Sequence, residues 1–300
     1  MMGETIRINE VGLRDGLQSQ SRHLTLDERL RLASSLMGAG LKHLEIGSFV
    51  SPKAVPQMAG TGDLIAALNV ADGVHLSALI PNMKGYELAR AAGVGTVAVV
   101  VSATETMNLK NINMSLERTL AVAREIITRG KADGARVQAY LAVAFECPFE
   151  GPTPREIVLA QAAQLAEWGA DEIVIADTIG AANPAAVRDL MDALVVAHGT
   201  ARLACHFHDT RAMGLANVFA AIESGVRQFD SSVGGLGGCP FAPGAKGNVA
   251  TEDVVMLCEQ MGFATGVRMP ALLESVALVS ELIGAPQGGR AHYWLSRNAA

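Results

Sequence analysis

The feature that most constrains the fold is a unit of an apolar strand, a polar loop and a helix, which recurs eight times along the chain. In the first unit, residues 5–11 alternate apolar and polar side chains as in a strand, and Thr25 followed by Glu28 is typical of the start of a helix. Eight such units favour a closed (β/α)8 TIM barrel. An open doubly wound sheet gives the same alternation, so closure is inferred from the strand count alone. The other strands are predicted at residues 42–47, 74–80, 95–101, 136–144, 172–176, 202–207 and 228–233.

The chain shows no composition shift or Ser/Pro-rich linker, so a single TIM-barrel domain over residues 1–300 is predicted, with the barrel at about residues 5–267. Within it, residues 55–68 are predicted as a helix and residues 110–113 as a loop. The C-terminal part, residues 268–300, is predicted to hold one extra helix at residues 270–283. Residues 284–300, with the pair Gly288–Gly289, are predicted as a loose tail.

Charge and composition exclude several classes of partner. The chain has 24 Lys and Arg against 30 Asp and Glu, a formal net charge of −6, and no basic block of the kind that binds nucleic acid. No uncharged apolar run approaches the ~18 residues of a membrane span, and the start lacks a signal-peptide core. The 4 cysteines are scattered without paired spacing, which favours reduced thiols and a cytoplasmic location.

His206 and His208 lie two residues apart at the end of the seventh predicted strand, so both imidazoles point to one face. In a barrel, the residues that follow the strands meet at one end, where Asp15 follows the first strand and Asn248 the eighth. Two nitrogen and two oxygen donors, with room for water, suit an octahedral Mg²⁺ or Mn²⁺ better than a structural zinc. The alternative is a pair of hydrogen-bonded core histidines.

Three further residues near these ligands have two interpretations each. Arg14 has a fixed fork of donors that suits a developing enolate oxygen, but Arg-Asp-Gly is also an ordinary turn. Glu10 is predicted either to orient a ligand histidine from behind or to pair with Arg14. Cys239, on the Gly-rich loop of residues 234–248, is either a proton donor and acceptor or a small packed side chain.

Seven motifs, in order along the chain, resemble the 3-hydroxy-3-methylglutaryl-CoA lyase family, which belongs to the wider group of metal-dependent lyase and Claisen-condensation barrels. The resemblance extends from about residue 6 to residue 267. The motifs are VGLRDGLQ from Val11, SFVSPK from Ser48, KNIN from Lys110, DTIG from Asp177, HFHDT from His206, GLGGCP from Gly235 and GNVATED from Gly247.

The resemblance implies cleavage of 3-hydroxy-3-methylglutaryl-CoA to acetyl-CoA and acetoacetate, a step of leucine breakdown and ketone body formation. It implies that Arg14 stabilises the enolate and that His206 or Asp15 takes the hydroxyl proton. The implied ligands of Mg²⁺ or Mn²⁺ are Asp15, His206, His208 and Asn248. The other implied site residues are Glu45, Asp177 and Cys239 in catalysis, Arg14, Gln18, Ser48, Asn111 and Asn113 around an acyl-CoA substrate, and Glu10 and Glu252 behind the ligands. A homo-oligomer, a dimer or tetramer, is also expected.

Five positions depart from the family's usual motifs. Leu13 stands where the family has Pro, Ser19 where it has Asn, Gln138-Ala139 where it has Arg-Gly before a Tyr, and Glu146 where it has Gly before Cys-Pro. These departures leave the ligand set intact but affect the cavity wall, so a longer-branched hydroxyglutaryl-CoA or citramalyl-CoA is an alternative substrate. A condensing synthase of the same group and a metal-binding barrel without catalysis are the remaining alternatives.

Overall fold

A computed structural model describes residues 4–238 and 247–298, and in it eight parallel strands form a closed barrel. Each strand pairs with its neighbours in sequence, and the first strand also pairs with the last, with Arg7 opposite Gln228 and Glu10 opposite Ser231. The predicted (β/α)8 barrel is therefore confirmed. The strands are β1 (Arg7–Glu10), β2 (His43–Ser48), β3 (His75–Leu79), β4 (Thr96–Ser102), β5 (Arg136–Ala142), β6 (Glu172–Asp177), β7 (Leu203–Phe207) and β8 (Gln228–Ser231).

Helices surround the barrel, and polar side chains cap the starts of several of them, one at the predicted Thr25. Thr25 and Glu28 exchange side-chain to main-chain hydrogen bonds at the start of the first helix, and Ser115 accepts from Arg118 N at the fifth. No helix in the described ranges is long and apolar enough to span a membrane. The helices are α1 (Leu26–Gly38), α2 (Thr61–Ala67), α3 (Met83–Ala91), α4 (Glu105–Ile112), α5 (Leu116–Ala132), α6 (Arg155–Trp168), α7 (Pro184–His198), α8 (Gly214–Glu223), α9 (Thr251–Gln260), α10 (Met269–Ile283) and α11 (His292–Asn298).

Two segments of the barrel differ from the prediction. The predicted loop at residues 110–113 is largely the end of α4, which stops where Asn113 adopts a left-handed conformation. The predicted helix at residues 55–68 is a 3-10 turn, Pro56–Met58, followed by α2, because Gly60 takes a left-handed φ of 72° between them. In both cases the local chain reversal is set by one residue with a positive φ, which hydrophobic periodicity does not reveal.

The apolar core has two layers. Most buried apolar side chains lie between the strands and the helices, whereas a small second cluster of Ala98, Tyr140, Val174 and Ala204 is separate from it. Ala204 precedes His206 by two residues on β7, so the small cluster lies on the inner face of the barrel with that histidine. The inner face of the barrel therefore carries both this apolar cluster and His206.

The prediction of a loose C-terminal tail is wrong, because the segment after α10 is hydrogen-bonded to the barrel. Gly289 N donates to Glu252 Oε1 at 2.7 Å, and Arg290 N and Ala291 N donate to the two oxygens of Asp253 at 2.6 and 3.0 Å. A second C-terminal helix, α11, follows. We call residues 288–291 the strap. The glycines that suggest a mobile tail instead let its main chain pack closely against Asp253. A Cβ on Gly289 would lie 2.5 Å from the Asp253 carboxylate.

We expect Gly289→Ala to destabilise the fold by about 1–3 kcal/mol, because the added methyl displaces Asp253 and breaks its bonds to the strap. Gly38→Ala is the matched control, since nothing lies within 4 Å of a Cβ there. In the last turn of α1 the alanine should be neutral or stabilising, by at most about 1 kcal/mol. Urea unfolding of the three proteins measures both effects. Equal stability of Gly289→Ala and the wild type would contradict the docked strap.

Candidate metal centre and active site

Arg14 and Asp15 follow β1 on a five-residue π-helical turn, Gly12–Gly16. The main-chain N–H groups of Asp15 and Gly16 both donate to Val11 O, at 2.8 and 3.2 Å. A π turn is uncommon and places two consecutive polar side chains at the barrel mouth. The ordinary turn that the Arg-Asp-Gly sequence suggests is therefore not what forms.

The structure brings Asp15 together with both histidines of β7. Nε2 of His206 lies 3.1 Å from Nε2 of His208, and Asp15 Oδ2 lies 4.0 Å and 3.9 Å from these two nitrogens. Both histidines are 6% exposed. The three donor atoms form the one group of at least three such ligands in the described ranges. The predicted juxtaposition of the first and seventh strands is present.

Asp230, on β8, is a functional candidate that the sequence analysis missed. Its Oδ2 lies 3.0 Å from His206 Nδ1 and accepts from Tyr140 Oη at 2.8 Å, while Oδ1 accepts from Asn9 Nδ2 at 2.9 Å. The carboxylate thus holds the Nδ1–H of His206 and turns its Nε2 toward the cluster. Asp230 pairs in register with His206 on the neighbouring strand. The sequence places Asp230 in the eighth predicted strand but carries no signal for this register.

Asn248 reaches the cluster from the segment after the Gly-rich loop. Residues Asn248 and His208 form an antiparallel bridge, which places the amide beside the histidines. Its Nδ2 donates to Asp15 Oδ2 at 2.7 Å and lies 3.3 Å from Leu236 O. In this arrangement Asn248 holds Asp15 in place, and its amide nitrogen faces the carboxylate.

The electrostatics of the cluster favour an ionised Asp15 carboxylate and a neutral His208 ring. Burial would raise the pKa of Asp15, but Arg14 and the two histidines outweigh it and hold that pKa well below its usual range. Burial, with His206 nearby, lowers the pKa of His208 to about 3. Burial also opposes the charge of His206, yet the bond and charge of Asp230 raise its pKa overall. The negative charge of Asp15 and the lone pair of the neutral His208 ring therefore lie beside His206, whose charged form Asp230 and Asp15 favour.

The expected role of Glu10 in orienting a ligand histidine is wrong. Its Oε1 accepts from Gly12 N at 2.8 Å and Val233 N at 2.9 Å, and its Oε2 accepts from Thr251 Oγ1 at 2.6 Å. On β1, Asn9 faces the barrel interior with Asp230, so Glu10, the next residue, points to the opposite face. The structure also gives no ion pair between Glu10 and Arg14 in the described ranges.

Glu252 likewise supports main chain and contacts no ligand side chain. It accepts from Gly234 N at 3.0 Å and from Gly289 N at 2.7 Å, so it links the start of the Gly-rich loop to the strap. Asp177 accepts from Ala181 N and Ala182 N at 2.8 and 3.0 Å, and burial raises its pKa to about 6. Both acids brace loops at the barrel mouth from positions behind the cluster.

Arg14 is held by two carboxylates. Its Nε donates to Glu45 Oε2 at 2.7 Å and its Nη1 to Asp15 Oδ1 at 2.5 Å. Burial would lower the pKa of Arg14, but Glu45 and Asp15 raise it, so the guanidinium stays charged. Its Nη2 has no hydrogen-bond acceptor among the described residues. Hydrogen bonds through Nε and Nη1 fix the orientation of the guanidinium, and Nη2 is left to donate to a ligand.

A cavity of about 750 Å³ opens at the cluster. Of the residues predicted to contact substrate, the structure places Arg14, Gln18 and Asn111 on its wall. Ser48 is buried without a hydrogen-bond partner for its Oγ in the described ranges, and Asn113 is exposed; neither lines the cavity. Cys239 lies outside the described residues. The lining of the cavity also includes apolar side chains, among them Val100, Met107, Ile112, Met114, Val122 and Ile126.

The donor set fits a divalent cation. Neighbouring ligands of an octahedral ion with bonds of ~2.1 Å lie about 3 Å apart, close to the 3.1 Å between the two Nε2 atoms. Two buried ring nitrogens at this distance, beside an ionised carboxylate, need a shared proton or a cation between them. His206, His208 and Asp15 leave further positions open for water and substrate, as a catalytic site requires.

A closed parallel barrel that carries two histidines and a carboxylate at the C-terminal ends of its strands defines the class of metal-dependent barrel enzymes. Comparison with known proteins narrows this class. The family model described as HMGL-like matches residues 5–279, so the chain belongs to the HMGL-like family. The resemblance that the sequence motifs indicate is confirmed.

Individual relatives agree with the family match. The chain is 41% identical over 297 residues to the hydroxymethylglutaryl-CoA lyase of Pseudomonas mevalonii, covering 99% of each. It is 41% identical to a 3-hydroxy-3-isohexenylglutaryl-CoA/hydroxymethylglutaryl-CoA lyase of Pseudomonas aeruginosa, covering 95% of each. A solved HMG-CoA lyase of Acinetobacter baumannii, in complex with coenzyme A and 3-methylmalate, is similar with a TM-score of 0.92 at 35% identity, covering 98% of this chain and 95% of that one.

The buried Glu10 should make the stability of the barrel depend on pH. Burial raises its pKa from 4.5 to about 7 despite its hydrogen bonds to Thr251, Val233 and Gly12. The folded chain binds this proton more tightly than the unfolded chain. The resulting stability is fully present below pH 4.5 and is lost as the pH rises through about 7, by up to roughly 3 kcal/mol.

The free energy of unfolding should therefore fall less from pH 5 to pH 8 in Glu10→Gln than in the wild type, because the glutamine side chain stays uncharged. Glu117→Gln, at an exposed position in the first turn of α5, is the control and should keep the wild-type pH dependence. Urea unfolding at both pH values gives the comparison. The same loss in Glu10→Gln as in the wild type would show that Glu10 does not carry the dependence.

Proposed function

We propose that this chain is a divalent-cation-dependent carbon–carbon lyase that cleaves 3-hydroxy-3-methylglutaryl-CoA to acetyl-CoA and acetoacetate. The observation that carries the proposal is the cluster of Arg14, Asp15, His206 and His208 on the wall of one cavity. Membership of the HMGL-like family and the printed activities of the relatives support it. The acyl-CoA class of substrate is supported by the coenzyme A in the Acinetobacter structure.

Asp15, His206 and His208 would hold Mg²⁺ or Mn²⁺. Asn248 would add its side-chain oxygen as a fourth donor in place of the hydrogen bond that its Nδ2 donates to Asp15. A cation bound there would supply Lewis acidity for the substrate's carboxylate and tertiary hydroxyl. Asp230 contributes by fixing the ring of His206 through Nδ1. The ion pair of Asp15 with Arg14 keeps the carboxylate oriented toward the histidines.

Arg14 would stabilise the oxyanion of the departing group. When the bond between the substrate's α-carbon and its carbinol carbon breaks, the electron pair passes to the thioester and forms the enolate of acetyl-CoA. The carbinol oxygen, after losing its proton, becomes the ketone of acetoacetate. A buried guanidinium fixed by Glu45 and Asp15 meets the enolate charge without reorganisation.

Two groups on the cavity wall are candidates for taking the hydroxyl proton, Asp15 and His206. Cys239 is the candidate that returns a proton to the enolate carbon, on the basis of its position in the Gly-rich loop. Glu45 acts on the substrate through Arg14, and Asp177 through the loop that it braces.

A longer-branched hydroxyglutaryl-CoA is a second candidate substrate. The apolar side chains Met107, Ile112 and Met114 line the same cavity as the cluster, and they suit an alkyl branch longer than methyl. The activity printed for the Pseudomonas aeruginosa relative includes an isohexenyl substrate.

We also propose a cytoplasmic homo-oligomer. Cys147, Cys205 and Cys258 are free and buried, which suits a reducing compartment. Exposed aromatic side chains on α11, Tyr293 and Trp294, support a contact between copies.

Removal of divalent cations should abolish acetyl-CoA release from 3-hydroxy-3-methylglutaryl-CoA, because the substrate oxygens lose their Lewis acid. Mg²⁺ or Mn²⁺ should restore it in the wild type but not in His208→Ala, whose circular dichroism should remain that of a folded barrel. Release is measured as free acetyl-CoA, in parallel with a longer-branched analogue. Full turnover by the chelated enzyme would overturn the metal role, and turnover of the analogue alone would select the second substrate.

Arg14→Gln should lower kcat by about 10²–10³-fold, the usual cost of removing one oxyanion-stabilising donor. KM should change by only a few fold, because the enolate charge develops in the transition state and not in the bound substrate. Steady-state kinetics with saturating cation measure both constants. Arg129→Gln is the control, since this exposed arginine of α5 forms an ion pair only with Asp133 within the described part of the chain. A variant whose KM rises while kcat stays unchanged would show that Arg14 serves binding alone.

A further inference from the structure

The strap carries an arginine that contacts the residue next to a candidate ligand. Nε of Arg290 donates to Asp209 Oδ2 at 2.6 Å, and its Nη2 lies 3.3 Å from Asp209 O. Asp209 directly follows His208 and is buried, with 8% of its surface exposed. One guanidinium therefore contacts both the side chain and the main chain of a residue that continues the ligand-bearing strand.

Asp209 is the junction between the two segments that supply ligands. Its N–H donates to Gly247 O at 2.7 Å, next to Asn248, and Asn248 and His208 form the antiparallel bridge. Its Oδ1 accepts from Gly214 N at 3.0 Å at the start of α8. The position of Asp209 thus sets how the His208 and Asn248 side chains lie relative to each other.

The strap itself is held independently of Arg290's side chain. Main-chain N–H groups of Gly289, Arg290 and Ala291 donate to Glu252 and Asp253 at the start of α9, and Gly288 N donates to Gly234 O at 2.9 Å. The guanidinium consequently approaches Asp209 from a fixed base. A planar fork that binds a carboxylate and a carbonyl together gives a defined geometry that a single-point ammonium cannot reproduce.

We propose that Arg290 is a positioning residue of the metal centre, which holds the His208–Asp209 and Gly247–Asn248 segments in the arrangement that binds the cation. Arg290 acts through Asp209: among the described residues its side chain hydrogen-bonds to no candidate ligand, and it is not one of those that line the cavity. The inference rests on the proposed function for the presence of the cation. It assigns to residues 288–291 a part in metal affinity that is separate from the cleavage step.

The test measures Mn²⁺ binding by isothermal titration calorimetry to the full chain after chelation, together with the melting temperature of the same metal-free samples. Arg290→Ala should raise the Kd of Mn²⁺ by up to about 10-fold, the lower end of the effect of losing a group bonded directly to a metal ligand, because Arg290 acts one residue further out, through Asp209. Arg290→Lys should give a smaller rise, because it keeps the charge but loses the fork. Arg297→Ala, on α11 beyond the strap, is the control and should bind Mn²⁺ like the wild type.

A lower melting temperature with an unchanged Kd would assign Arg290 a purely structural role and overturn the proposal. So would a Kd within twofold of the wild type in both Arg290→Ala and Arg290→Lys, while the proposed lyase function would stand because the wild type still binds Mn²⁺. If the wild type itself bound no Mn²⁺, the metal centre, the proposed function and the role of Arg290 would fail together. A raised Kd in Arg290→Lys supports the proposal even if Arg290→Ala does not fold.

Discussion

The site depends on the closure of the barrel, in which β1 pairs with β8. Asp15 follows the first strand, His206 and His208 belong to the end of the seventh, and Asn248 follows the eighth. These residues are far apart along the chain, and they meet only because parallel pairing returns the last strand to the first. An open sheet with the same strands in sequence order would leave β1 at one edge and β8 at the other. The donor cluster is thus a property of the closed sheet and not of any single motif.

The acids at the mouth of the barrel fall into two groups according to the kind of hydrogen-bond donor that each one meets. Asp15, Glu45 and Asp230 have a guanidinium, an imidazole or a phenol as a partner and surround the chemistry. Glu10, Asp177 and Glu252 accept instead from main-chain N–H groups and hold the loops. Burial raises the pKa of each member of the second group. The carboxylates that hold these loops in place therefore cost free energy when they are ionised in the folded protein.

Much of this arrangement could be predicted from the sequence, and the errors have a common physical origin. Eight strands and the pair His206 and His208 follow from hydrophobic periodicity and alternation, which are local. The face taken by Glu10 and the contact of Asp230 depend on the register between β1, β7 and β8, which no single segment encodes. The strap escaped prediction because glycine is compatible with both mobility and close packing. The roles of Cys239 and of the substrate-binding residues stay predictions.

The position of the cluster across the β7–β8–β1 seam links ligand binding to the dynamics of the sheet. A cation bound by residues from both sides of β8, as proposed here, would bind only the closed barrel. By mass action it would stabilise that state over any state in which the seam has opened. Main-chain amides of β8 would then exchange with solvent more slowly when the cation is present, while amides of β3 and β4, on the far side, would sense it least. A cation bound at the cluster would thus stabilise the closed sheet as well as take part in the reaction.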